Sequence, residues 1–283
     1  MLSDTLYRVP RLPGLSVIQS RGPGRSRELT SRRLVLEIGQ SARYENPNEE
    51  TVLVLQEGAG ALESAGRRWD VSRPGVFAER ATALYLPAGA ELQVTAASPM
   101  EAILLSTPAP LRAGAEPVLV TPAEVRVNVR GKGHYMREVH DLFVDDPYVA
   151  RLMVGETFNP PGNWSSYPPH KHDGADGEPR LEEVYHFRIE PSHGFAHQSL
   201  YTSAGECVTH QVKDGDAVLL PYGYHPVSAP PGYRVYYLWA LAGDQRRLVP
   251  YEDPQHRWIH DAANGPEEIT VASASKRTSS GPA

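Results

Sequence analysis

The sequence predicts an all-β protein of 283 residues, a sandwich or barrel in which one β-unit is used twice. Three observations carry that expectation. Apolar runs of strand length, several rich in β-branched and aromatic residues, recur between turn signals along the chain. Glycine and proline, 24 and 26 residues, exceed the roughly 12 % of average composition without forming a repeat. The two halves also rhyme. "LPAGAELQV" at 86–94 and "LPYGYHPVS" at 220–228 each end a strand in a proline–glycine turn and then resume in extended sequence.

In the first half the expected strands are "RRLVLEIG" (32–39), "TVLVLQEG" (51–58), "TALYLPAG" (82–89), "ELQVTAA" (91–97) and "MEAILLST" (100–107). The second half offers "RLMVGETFN" (151–159), "EEVYHFRIE" (182–190), "HQSLYTS" (197–203), "DAVLLPYG" (216–223) and "YRVYYLWALAG" (233–243). The stretch "REVHDLFVDD" (137–146) fits one helical turn or another strand equally well. The expected organisation is a first barrel over 1–130, a second over 131–265 and a disordered polar tail over 266–283, with 108–129 as the connection.

Composition excludes several classes. A net charge of −6 without a clustered basic face argues against a nucleic-acid partner. No stretch approaches the ~20 apolar residues that a membrane-spanning helix needs. The N-terminal stretch lacks an apolar run behind a basic start, so a signal peptide is not expected. The single cysteine, Cys207, fits a reducing compartment and reads as a small packing residue without a basic partner. A cytoplasmic protein is the resulting expectation. No dinucleotide or phosphate-loop motif is present.

The histidines fix where chemistry belongs. All eleven lie at or beyond His134, and where the second half has His225 after its turn, the first half has Ala90. In "YPPHKHD", His170 and His172 are two apart, so an extended strand projects both to one side and Lys171 to the other. In "LEEVYHFRIE", Tyr185, Phe187 and Ile189 share a face that should look into the barrel, and Glu183 is on it. Parity therefore selects Glu183 as a ligand, places Glu182 on solvent, and makes His186 a surface or interface residue. Three imidazoles and one carboxylate suit a first-row divalent ion with open positions.

H-x-H, then Glu, then a strand ending in P-x-G with a His resembles the two cupin motifs, and so implies a bicupin. Ten residues, Asp173 to Glu182, separate His172 from Glu183, far more than in a typical cupin, and a polar Gly-rich loop can absorb them. Longer motifs are more specific. "GETFNPPGNWSSYPPHKHD", "EEVYHFRIEPSHGFAHQSLYT" and "VLLPYGYHPVSAPPGYRVYYLWALAG" resemble the 5-deoxy-glucuronate isomerases of bacterial inositol catabolism, relatives of the isomerases acting on 4-deoxy-5-keto-uronates. The likeness is densest from about Arg137 to Gly243.

The resemblance implies one divalent metal per chain, Zn or Mn favoured, at His170, His172, Glu183 and His225. It implies a small sugar acid as the binding partner and is compatible with a homo-oligomer. The implied reaction converts 5-deoxy-glucuronate to 2-deoxy-5-keto-gluconate. Tyr167, Tyr185, Tyr237 and Trp239 are candidate pocket walls, with ordinary core packing as the alternative. Arg137 and Arg188 are candidates for the substrate carboxylate, although strand parity points Arg188 outward. Glu156, Tyr185 and Arg137 are the catalytic candidates, with a structural hydrogen-bonding role equally open for Glu156. The same ligands would also serve a metal-dependent dioxygenase, an epimerase-like enzyme on another uronate, or a non-catalytic sugar-binding protein.

Overall fold

The computed structural model describes residues 1–23 and 26–261. Strands dominate it, as the short apolar runs and dense turn residues require. In the first half, Gly14–Gln19, Thr30–Leu36, Met100–Pro108, Glu49–Ser64, Ala83–Leu86 and Val118–Val120 lie side by side in that order. The long strand Glu49–Ser64 curls onward to pair with Arg67–Arg73 and Glu91–Ala96, which closes the barrel. Leu34, Leu53, Leu55, Leu62, Leu84, Leu92 and Leu104 fill its interior.

The second barrel sets a seven-stranded sheet against a four-stranded one. Leu181–Glu190, Arg234–Gly243 and Met153–Asn159 form the centre of the larger sheet. The undecided stretch is a strand, Arg137–Phe143, beside Met153–Asn159. Both ends of the segment 1–130 join this second sheet. Leu6–Tyr7 pairs with Ala217–Leu220, and Arg126–Arg130 pairs with Arg137–Phe143. No local pattern announces the first pairing, because its partner lies about two hundred residues away. The expected tail, 266–283, lies outside the described residues.

The large sheets pack back to back. Val52, Val54, Tyr85, Ile103 and Leu105 of the first meet Val184, Tyr236, Leu238, Ala240 and Ala242 of the second in one continuous core. The central strands of each large sheet are thus buried on both faces, and the outer face of 182–190 is an inter-barrel surface rather than solvent. That corrects the expectations for Glu182 and Arg188. Glu182 is 6 % exposed and accepts hydrogen bonds from the backbone N–H groups of Arg27 (2.8 Å), Glu28 (3.2 Å) and Leu29 (3.1 Å) and from the Ser26 hydroxyl. Arg188 is held by Asp214 at 3.0 Å and lies 3.7 Å from Glu101, so it cannot serve a substrate carboxylate. His186 is buried on the same face, the interface alternative of its expectation. The first barrel reciprocates Glu182 through Glu50, which accepts from the N–H groups of Ala150, Arg151 and Leu152 at 2.7, 2.6 and 2.7 Å. A carboxylate that satisfies several otherwise orphaned buried donors holds the barrels in one register.

His186 gives a pH dependence. Neither ring nitrogen has a hydrogen-bond partner among the described residues. Burial, and then the positive charge of Arg33, push its pKa down to about 3. The unfolded chain binds that proton near the ordinary value of about 6.5. Its contribution to stability is therefore full above about pH 6.5 and is lost as pH falls towards 3, by about 1.4 kcal/mol per unit. Denaturant unfolding at neutral and mildly acidic pH should show a shallower acid loss in His186→Leu than in the parent chain. An unchanged acid slope would contradict the assignment.

Candidate metal centre

Three elements converge on one end of the second barrel. His170 and Lys171 form a two-residue strand against Tyr251–Glu252, and His172 follows directly. Glu183 points inward from the central strand Leu181–Glu190, opposite Leu241 and Leu220 in register. His225 follows the turn at 221–224, where Gly223 has φ +84° and a Cβ would stand 2.6 Å from the Tyr201 carbonyl oxygen. Only glycine fits that turn.

Donor atoms of His172, Glu183 and His225 all lie within 4.8 Å of one another, and all three residues are buried. The His172 Nε2 to Glu183 Oε2 distance is 3.0 Å, and the His225 Nε2 to Glu183 Oε2 distance is 3.4 Å. Each Nδ1 faces a backbone carbonyl, that of Leu181 at 2.9 Å for His172 and that of Gly223 at 3.0 Å for His225. Those carbonyls accept from Nδ1–H, which leaves the two Nε2 atoms as the ligand positions. His225 Nε2 is buried without a hydrogen-bond partner. An orphaned imidazole nitrogen aimed at a buried carboxylate fits a cation.

His170 stands beside this group rather than inside it. Its ring is 4.8 Å from that of His225 and 6.3 Å from that of His172, and it hydrogen-bonds the Pro168 backbone. Burial first, then the charges of His172 and Arg137, lower its pKa to about 3, so it is a neutral donor near neutral pH. Burial, His170 and His172 likewise keep His225 well below its ordinary value. Burial raises Glu183, against the pull of His172. For His172 burial opposes the charge, but the hydrogen bond and charge of Glu183 outweigh it, and the pKa rises.

A cavity of ≈ 90 Å³ opens onto His172, Glu183 and His170. Tyr185, Tyr237 and Trp239 line it. The Tyr185 and Tyr237 rings stack at 4.3 Å, and Gly155 leaves room for Trp239, whose Cζ2 would be 2.2 Å from a Cβ there. Tyr167 does not line it. Its ring packs 5.5 Å from Trp164 and 6.1 Å from Tyr135, and its backbone carbonyl accepts from Arg137 at 3.1 Å. Strand parity does not govern Tyr167, which sits in the loop before His170.

Arg137 lines the cavity with its Nη1 on the Tyr135 and Tyr167 carbonyls, and no carboxylate pairs with it among the described residues. Burial lowers its pKa. Arg130, directly opposite Arg137 in register, also lines the cavity, as do Ser166, Thr157 and Asp141. None of these four is among the residues the sequence singles out; the alternation of Arg126–Arg130 is a signal for Arg130, but the strand falls largely within the expected connection, 108–129. Ser166 hydrogen-bonds the Tyr185 hydroxyl at 3.0 Å.

Glu156 is a second correction. It sits on the other face of Met153–Asn159, fully buried between the barrels. Arg73 grips both of its oxygens at 2.8 and 3.0 Å, and the Tyr236 hydroxyl donates to it at 2.7 Å. It does not reach the cavity. Cys207 is a third, being exposed at the start of Cys207–Val212, a strand that buries only His210 and Val212.

The 5-deoxy-glucuronate isomerase of Geobacillus kaustophilus (strain HTA426) is 40 % identical over 235 residues, which cover 81 % of this chain and 84 % of that protein. That of Geobacillus thermodenitrificans (strain NG80-2) is 39 % identical over 231 residues, 79 % of this chain and 83 % of that one. The crystal structure of an IolB-like protein from Salmonella typhimurium LT2 superposes with a TM-score of 0.84 at 31 % identity, covering 91 % of this chain and 99 % of that one. Oxalate decarboxylase of Lactobacillus farciminis, at 12 % identity, a TM-score of 0.62 and coverage of 89 % and 87 %, shares the bicupin fold alone. The family model for KduI/IolB proteins matches residues 16–259, and the chain belongs to the KduI/IolB family.

Proposed function

We propose that this chain is an aldose–ketose isomerase that converts 5-deoxy-glucuronate to 2-deoxy-5-keto-gluconate in myo-inositol degradation, with one divalent metal at His172, Glu183 and His225 and His170 as the fourth ligand. The carrying observation is the convergence of two imidazole Nε2 atoms and a carboxylate on one buried point facing a cavity that also holds a guanidinium without a carboxylate partner. A bound divalent ion would supply Lewis acidity towards the carbonyl and neighbouring hydroxyl oxygens of the substrate. His172 and His225 are held for that role by their Nδ1–H bonds to backbone carbonyls. Arg137 takes the uronate carboxylate, with Arg130 at the rim beside it. Tyr185, whose pKa burial and the Glu183 charge raise well above its ordinary value, keeps its proton and donates a hydrogen bond to a substrate oxygen.

Isomerisation moves a hydrogen from C2 to C1 and leaves the oxidation state of the molecule unchanged, so it needs no oxygen and no nicotinamide. The metal-replete chain should convert 5-deoxy-glucuronate to the ketose under strict anaerobiosis, read by NMR. In deuterated water, deuterium at C1 would mark proton exchange through an enediol, and its absence a hydride shift. An oxygen requirement, or no conversion, would defeat the assignment.

Arg137→Met should raise KM about 10- to 100-fold while changing kcat less, since a charge-assisted bond to a carboxylate is worth about 1.5–3 kcal/mol. Steady-state kinetics on the uronate check this. A fall in kcat alone would place Arg137 at the reacting carbons instead.

A further inference from the structure

The long loop between His172 and Glu183 is folded around one buried lysine. Lys171, between the two histidines of H-K-H, is 5 % exposed. Its Nζ lies 2.6 Å from Asp173 Oδ1, 2.9 Å from Asp176 Oδ2 and 2.6 Å from Glu178 Oε1, and 5.2 Å above the Tyr251 ring. Despite burial, the three carboxylates raise its pKa, so it is charged. The carboxylates are themselves tied down. Glu178 accepts from the N–H groups of Gly174 (3.1 Å) and Asp176 (3.0 Å), and the second oxygen of Asp173 accepts from the N–H of Gly223 at 3.0 Å. Gly223 is also the residue whose carbonyl holds His225 Nδ1.

We infer that Lys171 and Asp173 are positioning residues that lock the His172 strand to the His225 turn and so set the affinity of the metal centre. The inference rests on the metal reading above. One short path, Lys171 to Asp173 to Gly223 to His225, joins two ligands that are 53 positions apart by number. The geometry makes the loop more than a spacer. Partners one step removed from ligands typically cost 10- to 100-fold in metal affinity when removed.

The test is the dissociation constant of Zn²⁺ and of Mn²⁺, by competition with a chromophoric chelator, on the full chain and on Lys171→Met, Asp173→Ala and Arg180→Met. Arg180 pairs with Asp244 at the exposed end of the same loop and controls for loosening alone. Lys171→Met and Asp173→Ala should weaken metal 10- to 100-fold, and Arg180→Met less than threefold. Metal-free thermal unfolding shows whether the variants fold. Should Lys171→Met fail to fold, Asp173→Ala, which leaves the Lys171 charge paired to two carboxylates, decides. A folded Asp173→Ala with parental affinity, or equal losses in all three variants, would overturn the inference and leave the metal reading intact. A parent chain that binds neither ion would overturn both.

Discussion

Glu183→Gln should cost at least about 100-fold in metal affinity and turnover together, the upper end of what losing even an indirect partner costs. Glutamine keeps the shape and a hydrogen-bonding oxygen for His172, so the change isolates charge. Among His172, Glu183 and His225, the only anion is Glu183, and all three are buried. Without it, the ligands facing a dication in a low-dielectric barrel end would all be neutral imidazoles. Glu182→Gln is the matched comparison. It should keep the metal and lose inter-barrel stability, because Glu182 holds the 26–29 backbone rather than the ligands. Elemental analysis with kcat/KM on both variants checks the pair. Metal retained in Glu183→Gln and lost in Glu182→Gln would reverse the facing of the strand.

Glu156→Gln should destabilise the fold by about 3–5 kcal/mol, the usual cost of leaving one partner of a buried ion pair unopposed. Arg73 and Glu156 are both 0 % exposed, and the pair joins the first barrel to the second. The neutral amide leaves the guanidinium of Arg73 buried without its counter-charge. Adding Arg73→Met to Glu156→Leu should recover much of the loss, since an apolar pair has no charge to desolvate. The folded Glu156→Gln protein should keep kcat near the parental value, because Glu156 faces away from the cavity. Equilibrium unfolding gives the first quantity, and kinetics well below the unfolding midpoint give the second. A stable variant with a collapsed kcat would restore Glu156 as a base.

Period-two alternation made the barrel interior legible. The apolar face of 182–190 fixed Glu183 as inward, and the paired spacing of His170 and His172 placed them on a shared edge, although only His172 joins the tight three-residue group. The opposite face was illegible for a physical reason. Alternation says that two faces differ, but not what covers the more polar one. Glu182 and Arg188 look solvated because their partners lie far along the chain, Glu182 reaching Arg27 across 155 positions. The same distance hides Arg73 from Glu156, 83 positions apart. Loop residues such as Tyr167 and Ser166 obey no period. Their placement follows from backbone geometry that composition does not encode.

The central claim is that isomerisation depends on an ion at His172, Glu183 and His225. The direct measurement is turnover of 5-deoxy-glucuronate by chain stripped with chelator, verified metal-free, then titrated with Zn²⁺ or Mn²⁺. The account predicts no product without metal and full recovery at one equivalent per chain, with no recovery in His225→Ala. Undiminished turnover by the verified metal-free chain would contradict it.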